Sequence, residues 1–132
     1  MSVEIGWRGE VGSEELESLH AAGFERSVAP HDWRAQLERH SLGWVTARAD
    51  DGQLVGFVNV AWDGGVHAFI LDTLVAAAWR RQGIATRIVA IAEAEARAAG
   101  CEWLHVDFDP HLTGFYLEAC GFTSTPAGTI AL

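Results

Sequence analysis

Cysteine and long apolar runs are both scarce in this chain of 132 residues. Its two cysteines, Cys101 and Cys120, are too few for a disulfide framework or a cysteine-based metal motif, so we expect buried thiols and no metal site. No stretch approaches the roughly 18 uninterrupted apolar residues of a membrane helix. Because the residues from Met1 to Glu10 carry charges instead of a signal-peptide core, we expect a cytoplasmic protein without a membrane partner.

Positive charge is also in short supply. The sequence contains 9 lysines and arginines against 18 aspartates and glutamates, which gives a formal net charge of −9. Since affinity for a nucleic-acid backbone grows with the number of cations presented, we expect no nucleic-acid partner. The acidic surroundings favour a cationic substrate instead. Arg80, Arg81 and Arg87 form the basic cluster that stands out, so any anion site is local.

Repeats, low-complexity tracts and linkers are absent from the sequence too. The apolar fraction of 49% and the charged fraction of 20% are typical of soluble globular proteins. At this length, the composition predicts a single domain over residues 1–132 with one modest core.

Local patterns predict a strand and two helices in the first third of the chain. The stretch from Val3 to Trp7 is typical of a short strand. Ser13 is a suitable N-cap for a helix that ends near Gly23. Asp32 caps a second helix, which Gly43 closes. The second helix presents three residues on one side: Trp33, Leu37 and His40.

An antiparallel meander is predicted for the middle of the chain. Turn signals at Gly52 and Gly64 separate runs that are rich in apolar and β-branched residues. The predicted strands span Trp44 to Ala49, Leu54 to Trp62 and Val66 to Val75.

The apolar spacing changes to the helical period after Gln82. It predicts one long helix that ends near Gly100, followed by a strand from Trp103 to Phe108. A passage from strand to helix to strand implies a right-handed crossover and a parallel pair. Leu112 to Cys120 then predicts a short helix, and Phe122 to Leu132 one or two terminal strands. Together these elements predict an α+β fold, an α/β/α sandwich around a mixed, mostly antiparallel sheet.

The stretch Arg80-Arg81-Gln82-Gly83-Ile84-Ala85 lies between the last strand of the meander and the long helix. A helix that begins just after a glycine turn directs several unpaired backbone N–H groups, and the positive end of its dipole, at whatever binds there. The pattern therefore indicates an anion site, and phosphate suits it best.

In the order of its elements, the chain resembles the GNAT N-acetyltransferase superfamily over nearly its whole length. The first motif that carries the resemblance is Leu74-Val75 followed, five residues after Val75, by the stretch from Arg80 to Ala85, which is similar to the family's Arg/Gln-x-x-Gly-x-Gly/Ala signature. In the family this turn binds the coenzyme A pyrophosphate. There the preceding strand also splays from a parallel neighbour in the centre of the sheet and pairs with the pantetheine arm. The resemblance therefore implies acetyl-CoA as co-substrate.

The resemblance also implies which residues hold the coenzyme. Arg80 and Arg81 would flank the phosphates, while Leu74 and Val75 would offer backbone groups to the pantetheine arm. Gly83 suits the turn because a Cβ there would crowd the approaching phosphate. The backbone N–H groups that would hold the phosphates belong to Gln82, Gly83, Ile84, Ala85 and Thr86.

The second motif, from Gly114 to Phe122, resembles the family's Phe/Leu-Tyr-Glu-x-x-Gly-Phe segment and singles out Tyr116. In many members this tyrosine acts as general acid toward the departing thiolate. Gly121 follows Tyr116 by five residues, where four is usual, and an additional residue in a helix rotates the subsequent residues by about 100 degrees. The alternative role for Tyr116 is packing in the core with a hydrogen-bonded hydroxyl.

The reaction that the resemblance implies is transfer of an acetyl group from acetyl-CoA to a primary amine of a small molecule or peptide, by direct attack in a ternary complex. A free alkyl amine has a pKa near 10.4, so at neutral pH only about one molecule in a thousand can attack, and a base matters. Asp72 is the leading candidate, since by alternation it shares a strand face with Ala68, Ile70 and Leu74. A water chain could serve instead, and Asp72 could also make a structural hydrogen bond or orient a cationic acceptor.

The site of the amine acceptor is less sharply defined. In the family it lies over the loop between the first two helices, here Phe24 to His31, which makes His31 a candidate substrate-binding residue. The strand from Trp103 alternates polar and apolar residues, with its polar face formed by His105, Asp107 and Asp109. Metal binding there is conceivable, and solvent exposure explains the pattern better. The splayed strands of the family make Asp107 a second candidate for lining the amine site.

Two other functions compete with catalysis. A non-catalytic acyl-CoA-binding regulatory module on the same fold would keep the phosphate turn without turnover. A phosphate- or nucleotide-binding domain of another fold would need a parallel sheet, which the hairpin signals at Gly52 and Gly64 contradict. Members of the family often pair as dimers, so a homodimer is one expectation.

Overall fold

One mixed sheet organises the protein, whose computed structural model describes residues 2–132. The strands follow one another across the sheet in chain order, and the first four pair antiparallel. The fourth and fifth pair parallel, which confirms the mixed sheet. The five strands are β1 Val3–Trp7, β2 Ser41–Ala49, β3 Leu54–Trp62, β4 His67–Val75 and β5 Trp103–His105.

Helices cover both faces of this sheet and make the predicted α/β/α sandwich. On one face the buried side chains of α3, including Ile84 and Ile88, pack against Val45 and Val58 of the sheet. On the other face α1 and α2 pack against residues such as Phe57. Because both faces are covered, the central strand β3 is apolar at every position except Asn59 and does not alternate with polar residues. The α-helices are α1 Ser13–Gly23, α2 Trp33–His40 and α3 Ile84–Ala98.

The start of α1 differs from the prediction by one residue. Gly12 is the N-cap, and the Glu15 carboxylate accepts a hydrogen bond of 2.8 Å from the Gly12 N–H. Ser13 is the first helical residue, and its hydroxyl oxygen accepts a hydrogen bond from the Arg34 N–H of α2. The prediction for α2 is confirmed, since the side chain of Asp32 accepts from the Ala35 N–H at 3.1 Å.

The end of α2 was predicted wrongly. The helix stops at His40, which is exposed, whereas Trp33 and Leu37 are buried. Gly43 is not a helix stop but a residue of β2, where a Cβ would overlap the ring of Trp7 on the neighbouring strand. Glycine is needed there because Trp7 packs closely against the backbone. In the sequence alone, such a glycine looks the same as one that ends a helix or marks a turn.

The C-terminal part of the chain is less regular than predicted. β5 ends at His105, so residues 106–108 lie outside the strand, and residues 122–132 form no regular secondary structure. Pro126 lacks an N–H for a ladder and Gly128 favours an irregular backbone, which works against a strand here. As a result the parallel pair lies at one edge of the five-stranded sheet and not in its centre. Among residues 2–132, no helix has both the length and the apolar composition needed to cross a membrane.

Candidate active site

The parallel strands separate soon after they pair. Within the described chain, β4 and β5 are paired at three positions only, from His67 with Trp103 to Phe69 with His105. Beyond that point β4 continues to Val75, while the chain after β5 becomes irregular. The space between residues 70–75 and residues 106–109 is here called the wedge. The splayed strand pair is thus confirmed.

A β-bulge at Asp72 changes the direction of the side chains along β4. Leu71 is opposite Asn59 and Leu74 is opposite Phe57, so Val58 alone faces both Asp72 and Thr73. Asp72 has a φ of 54°, in the left-handed region that aspartate tolerates better than most residues.

The bulge overturns the predicted face of Asp72. Ala68 and Ile70 lie in the core beneath α3, whereas Leu74 lies in the core beneath α1 and α2. The side chain of Asp72 joins Leu74 on the α1 face, where it contacts α1. Simple alternation, which assumes an unbroken ladder, had put all four residues on one face.

The partner of Asp72 is His20, a residue that the sequence reasoning missed. Its Nε2 lies 2.9 Å from Asp72 Oδ1, and the side chains are 14% and 19% exposed. His20 follows Leu16 by one helical turn, which places it on the buried side of α1. That spacing is the one signal in the sequence that could have drawn attention to it. The contact spans 52 positions of the chain, so no local pattern predicts it.

Arg26 determines how His20 is protonated. Its Nη2 and Nε lie 2.9 and 3.3 Å from His20 Nδ1. A guanidinium has donors only, so Nδ1 must accept. The imidazole proton then sits on Nε2 and is donated to Asp72 Oδ1. His20 is therefore a neutral imidazole whose two nitrogens play different roles.

Arg26 is itself fixed by Glu17, which is only 4% exposed. The guanidinium donates to both carboxylate oxygens, at 2.6 and 2.8 Å. Hydrogen bonds from Arg26, from the Ala29 amide and from the Trp33 indole hold the pKa of Glu17 well below its usual range. The same pair raises the pKa of Arg26. Glu17, Arg26, His20 and Asp72 form a continuous chain of hydrogen bonds, here called the α1 network.

Two aromatic rings enclose the imidazole of the α1 network. The ring centroids of Phe24 and Trp33 lie 4.5 and 4.8 Å from that of His20. These contacts restrict the rotation of His20, so its nitrogens stay directed at Arg26 and Asp72.

Tyr116 is buried on the other side of β4. The hydroxyl donates to Thr73 Oγ1 at 3.1 Å, and the side chain is 5% exposed. Alternation from Leu74 and Val75, which pack in the α1 and α3 cores respectively, puts Thr73 on the α3 face. Burial raises the pKa of Tyr116, so the phenol keeps its proton at neutral pH. Asp72 and Tyr116 thus reach the bulge from opposite faces of the sheet.

The additional residue between Tyr116 and Gly121 is absorbed by a π-helical turn. Residues Gly114–Ala119 form this turn, and the Cys120 N–H donates to the Phe115 carbonyl, five residues back, at 2.9 Å. The Phe122 N–H then donates to the Tyr116 carbonyl at 2.9 Å. A π-turn accommodates one extra residue without rotating the subsequent chain out of place, which the sequence did not reveal.

The predicted phosphate turn sits directly behind the end of β4. Gly83 is the N-cap of α3, and no side chain caps this helix. The first helical hydrogen bond runs from the Arg87 N–H to the Gly83 carbonyl, which leaves the preceding N–H groups without helical partners. Arg80, Arg81 and Gln82 are exposed beside them. Ile84, at 2% exposure, anchors the helix start in the core. Ala85 and Thr86 complete the first turn.

Glycine at position 83 is required by the backbone. Its φ is 77°, and a Cβ there would meet no protein atom within 4 Å. Within the protein itself, glycine is therefore favoured at this position by its left-handed backbone conformation and not by lack of space. Crowding of a bound phosphate stays a prediction.

The backbone of Val75 faces the wedge. The Ala76 N–H donates to the Val55 carbonyl of β3 at 2.8 Å, so the groups of Val75, one residue earlier, point the other way. On that side the Val75 carbonyl accepts from Arg80 Nε at 3.1 Å. Arg80 links the end of β4 to the phosphate turn.

The two predicted substrate residues lie apart from these groups. His31 is exposed, with its Nε2 2.6 Å from Gln36 Oε1, and it packs edge-on against Trp33. Asp107 is exposed on the far side of the wedge from β4, where its charge adds slightly to the raised pKa of Tyr116. Within residues 2–132, no hydrogen bond joins either residue to Asp72.

Neither cysteine has the properties of a nucleophile. Both are free and partly buried, and desolvation raises the pKa of each thiol. Across residues 2–132, no cluster of three or more histidine, cysteine, aspartate or glutamate side chains could hold a metal ion. His67 and His105 instead form a pair, with 2.7 Å between Nδ1 and Nε2.

The sheet is splayed after β4, an uncapped helix begins behind the end of that strand, and a buried tyrosine from the π-helical turn bonds to it. These features define an acetyltransferase-type α/β fold. A model of the acetyltransferase (GNAT) family matches residues 12–122. The chain belongs to this family, as its motifs predicted.

Known proteins similar to this chain include one enzyme found by sequence and several solved structures. The tRNA(Met) cytidine acetyltransferase TmcA of Yersinia pestis is 35% identical over 94 residues, which is 65% of this chain and 13% of that protein. A GNAT family acetyltransferase of Streptococcus pneumoniae has a TM-score of 0.78 at 22% identity and covers 99% of this chain and 98% of its own. AAC(6')-Iy, in complex with a CoA-containing bisubstrate analog, has a TM-score of 0.73 at 19% identity, covering 100% and 98%. At these identities the structural likeness shows the fold.

Proposed function

We propose that the protein transfers an acetyl group from acetyl-CoA to a primary amine of a small molecule or peptide, by direct attack in a ternary complex. The observation that carries the proposal is the approach of Asp72 and Tyr116 to one bulge of β4 from opposite faces. In direct transfer the amine loses a proton as it adds to the acyl carbon, and the thiolate gains a proton as it leaves the tetrahedral intermediate. A carboxylate and a protonated phenol on opposite sides suit these two events.

The coenzyme would be held at the end of the wedge. AAC(6')-Iy has been solved with CoA and with a CoA-containing bisubstrate analog, which supports the same co-substrate here. The backbone N–H groups of residues 82–86 would hold the pyrophosphate, with Arg80 and Arg81 beside it. Val75 would offer its backbone groups to the pantetheine arm. Leu74 was predicted to do the same, but by the same alternation its backbone groups face Phe57 of β3, so it would contribute by fixing the strand. Arg80 would then have to leave the Val75 carbonyl that it now contacts.

Three groups of this chain would carry the chemistry. Asp72, directly or through a water, takes the proton that the amine loses on attack. The Val75 N–H, which faces the wedge, donates to the carbonyl oxygen as negative charge develops there. Tyr116 gives its proton to the thiolate as the carbon–sulfur bond breaks, and recovers it from solvent. Acetyl-CoA supplies the activated thioester, and the products are the amide and coenzyme A.

The acceptor is expected on the α1 face, on the same side as Asp72. The net charge of −9 favours a cationic amine on approach. AAC(6')-Iy was solved with an acetylneamine analog, which supports a small amine as acceptor. His31 and Asp107 are our candidates for its remaining contacts. Residues 1–132 would form one such domain, acting in the cytoplasm, where the two free cysteines stay reduced.

A non-catalytic acyl-CoA-binding module is the second candidate. It is favoured by one observation, the engagement of the Tyr116 hydroxyl with Thr73 inside a cluster of aromatic rings. A tyrosine in that setting can serve packing alone.

The two candidates differ in turnover. Acetyl-CoA is titrated into the protein calorimetrically, and free-thiol release is then followed with a panel of polyamines, aminoglycosides, amino acids and peptides. Binding with release that depends on one acceptor supports the enzyme. Binding without release across the panel supports the module, and no binding contradicts both.

A further inference from the structure

The α1 network extends the candidate site beyond the residues that a family pattern identifies. It begins at Glu17 in α1, passes through Arg26 in the following loop and His20 in the last turn of α1, and ends at Asp72 in β4. Among the described residues, Asp72 Oδ2 accepts no hydrogen bond, whereas Oδ1 is taken by His20. One carboxylate oxygen is therefore held and the other is available.

We propose that His20 is a positioning residue, held by Arg26 in its Nε2–H form so that Asp72 presents its free oxygen to the acceptor amine. This inference rests on the proposed function, because it assigns a purpose to the orientation of Asp72. His20 itself is not placed against the reacting atoms.

The charges of the α1 network support this assignment. Glu17 and Arg26 neutralise one another in a bidentate ion pair, and His20 is neutral. Asp72 is thus left as the unbalanced negative charge at the end of the network. A cationic or hydrogen-bond-donating acceptor, such as an alkyl amine, is the ligand chemistry that this end would recognise.

The same geometry makes the network sensitive to protonation of His20. A proton on Nδ1 would direct an N–H at the Arg26 guanidinium, so the contact between them would be lost. The charged groups that face His20 are Asp72 from β4, Arg26 from the loop and, through Arg26, Glu17; Phe24 and Trp33 cover its ring faces.

Two substitutions of His20 separate positioning from folding. In His20→Gln, the amide oxygen can accept from Arg26 and the amide nitrogen can donate to Asp72, as the neutral imidazole does. In His20→Leu, the bulk between Phe24 and Trp33 is retained and both hydrogen bonds are lost. His40→Leu is the matched control, because His40 is exposed at the end of α2.

The kinetic readout is kcat/KM for the acceptor as a function of pH, with acetyl-CoA saturating. We expect His20→Leu to lose about 10- to 100-fold at neutral pH, because a misdirected catalytic group is costly. His20→Gln, which restores both hydrogen bonds, should stay within about 3-fold of the wild type. The affinity for acetyl-CoA should not change in either variant. Equal losses in His20→Leu and His20→Gln would overturn the proposal.

A second readout does not require turnover. Nitrogen-15 NMR of the histidine side chains should find His20 protonated at Nε2 and not at Nδ1 at neutral pH, and Arg26→Leu should abolish this preference. A proton on Nδ1 in the wild type would overturn the proposal, whatever the activity. If the protein bound acetyl-CoA but acetylated no acceptor, the proposed function would fail even though the NMR result stood.

Discussion

Tyr116→Phe tests the proposed general acid with little change to the packing. The substitution removes one hydroxyl and leaves the ring contacts to Phe108 and Phe115, whose centroids lie 4.9 and 4.7 Å away. The lost hydrogen bond to Thr73 should cost about 1 kcal/mol of the free energy of unfolding. For a domain of this size that corresponds to a fall in Tm of roughly 3 to 5 °C.

The effect on turnover should be much larger than the effect on stability. If the hydroxyl protonates the departing thiolate, we expect kcat to fall by about 100-fold or more, with the affinity for acetyl-CoA unchanged. Burial raises the pKa of Tyr116, so the acid form persists to higher pH than a free phenol allows. Activity in the wild type should therefore decline only as the pH rises through that raised value. Free-thiol release at saturating acetyl-CoA measures both quantities.

Thr73→Val is the control for this experiment. It removes the same hydrogen bond and leaves the Tyr116 hydroxyl in place, so it should destabilise the fold comparably while retaining much more activity. Turnover of Tyr116→Phe within about 2-fold of the wild type would refute the catalytic role. Tyr116 would then be a core residue, as the competing interpretation of its burial holds.

Three further substitutions test the base, the ion pair and the phosphate turn. Asp72→Asn keeps an oxygen for His20 and removes the charge, so kcat/KM for the acceptor should fall by about 100-fold and its pH dependence should change; an unaltered pH–rate profile would exclude Asp72 as the base. Glu17→Gln should lower Tm at neutral pH. Because the pKa of Glu17 is lowered in the folded state, its stabilisation is complete above the pKa of the unfolded state and is lost progressively below it, so the difference in Tm from the wild type should shrink as pH falls from about 5 to about 3. A constant difference across that range would contradict the ion pair. Gly83→Ala forces a Cβ into a φ of 77°, so it should destabilise the protein by about 1 kcal/mol and weaken acetyl-CoA binding; unchanged affinity in calorimetry would argue against the phosphate turn.

Much of the fold could be predicted because its signals are local. The bounds of β1 and β3 match the apolar runs of the sequence, and the cap at Asp32 is where the side-chain rule puts it. The start of α3 at Ile84 agrees with the glycine turn and the change of period. Each of these features depends on residues that are close together in the sequence.

The features that failed prediction depend on distant contacts or on irregular backbone. Gly43 resembled a helix stop because its real constraint, the ring of Trp7, lies on another strand. The bulge at Asp72 reversed the alternation of β4, and nothing in the flanking residues announces it. Residues 122–132 contain β-compatible residues, and the prediction gave these more weight than Pro126 and Gly128, which interrupt any strand there.

The residues of the candidate site also fall into those with local signals in the sequence and those that depend on distant contacts. The phosphate turn and Tyr116 belong to contiguous motifs, so the sequence pointed to them directly. His20, Arg26 and Glu17 become recognisable only when α1, its following loop and β4 are brought together. The π-helical turn likewise explains the unusual spacing after Tyr116 only in three dimensions.

The most direct test of acetyl transfer is a single coupled measurement. Acetyl-CoA and a panel of primary amines are incubated with the protein, and free thiol and acetylated amine are quantified in the same sample. Transfer predicts that the two products appear in equal amounts, that both depend on the amine, and that both fall together in Tyr116→Phe. Calorimetric binding of acetyl-CoA with no amine-dependent thiol release would contradict the enzyme and leave the non-catalytic module in its place.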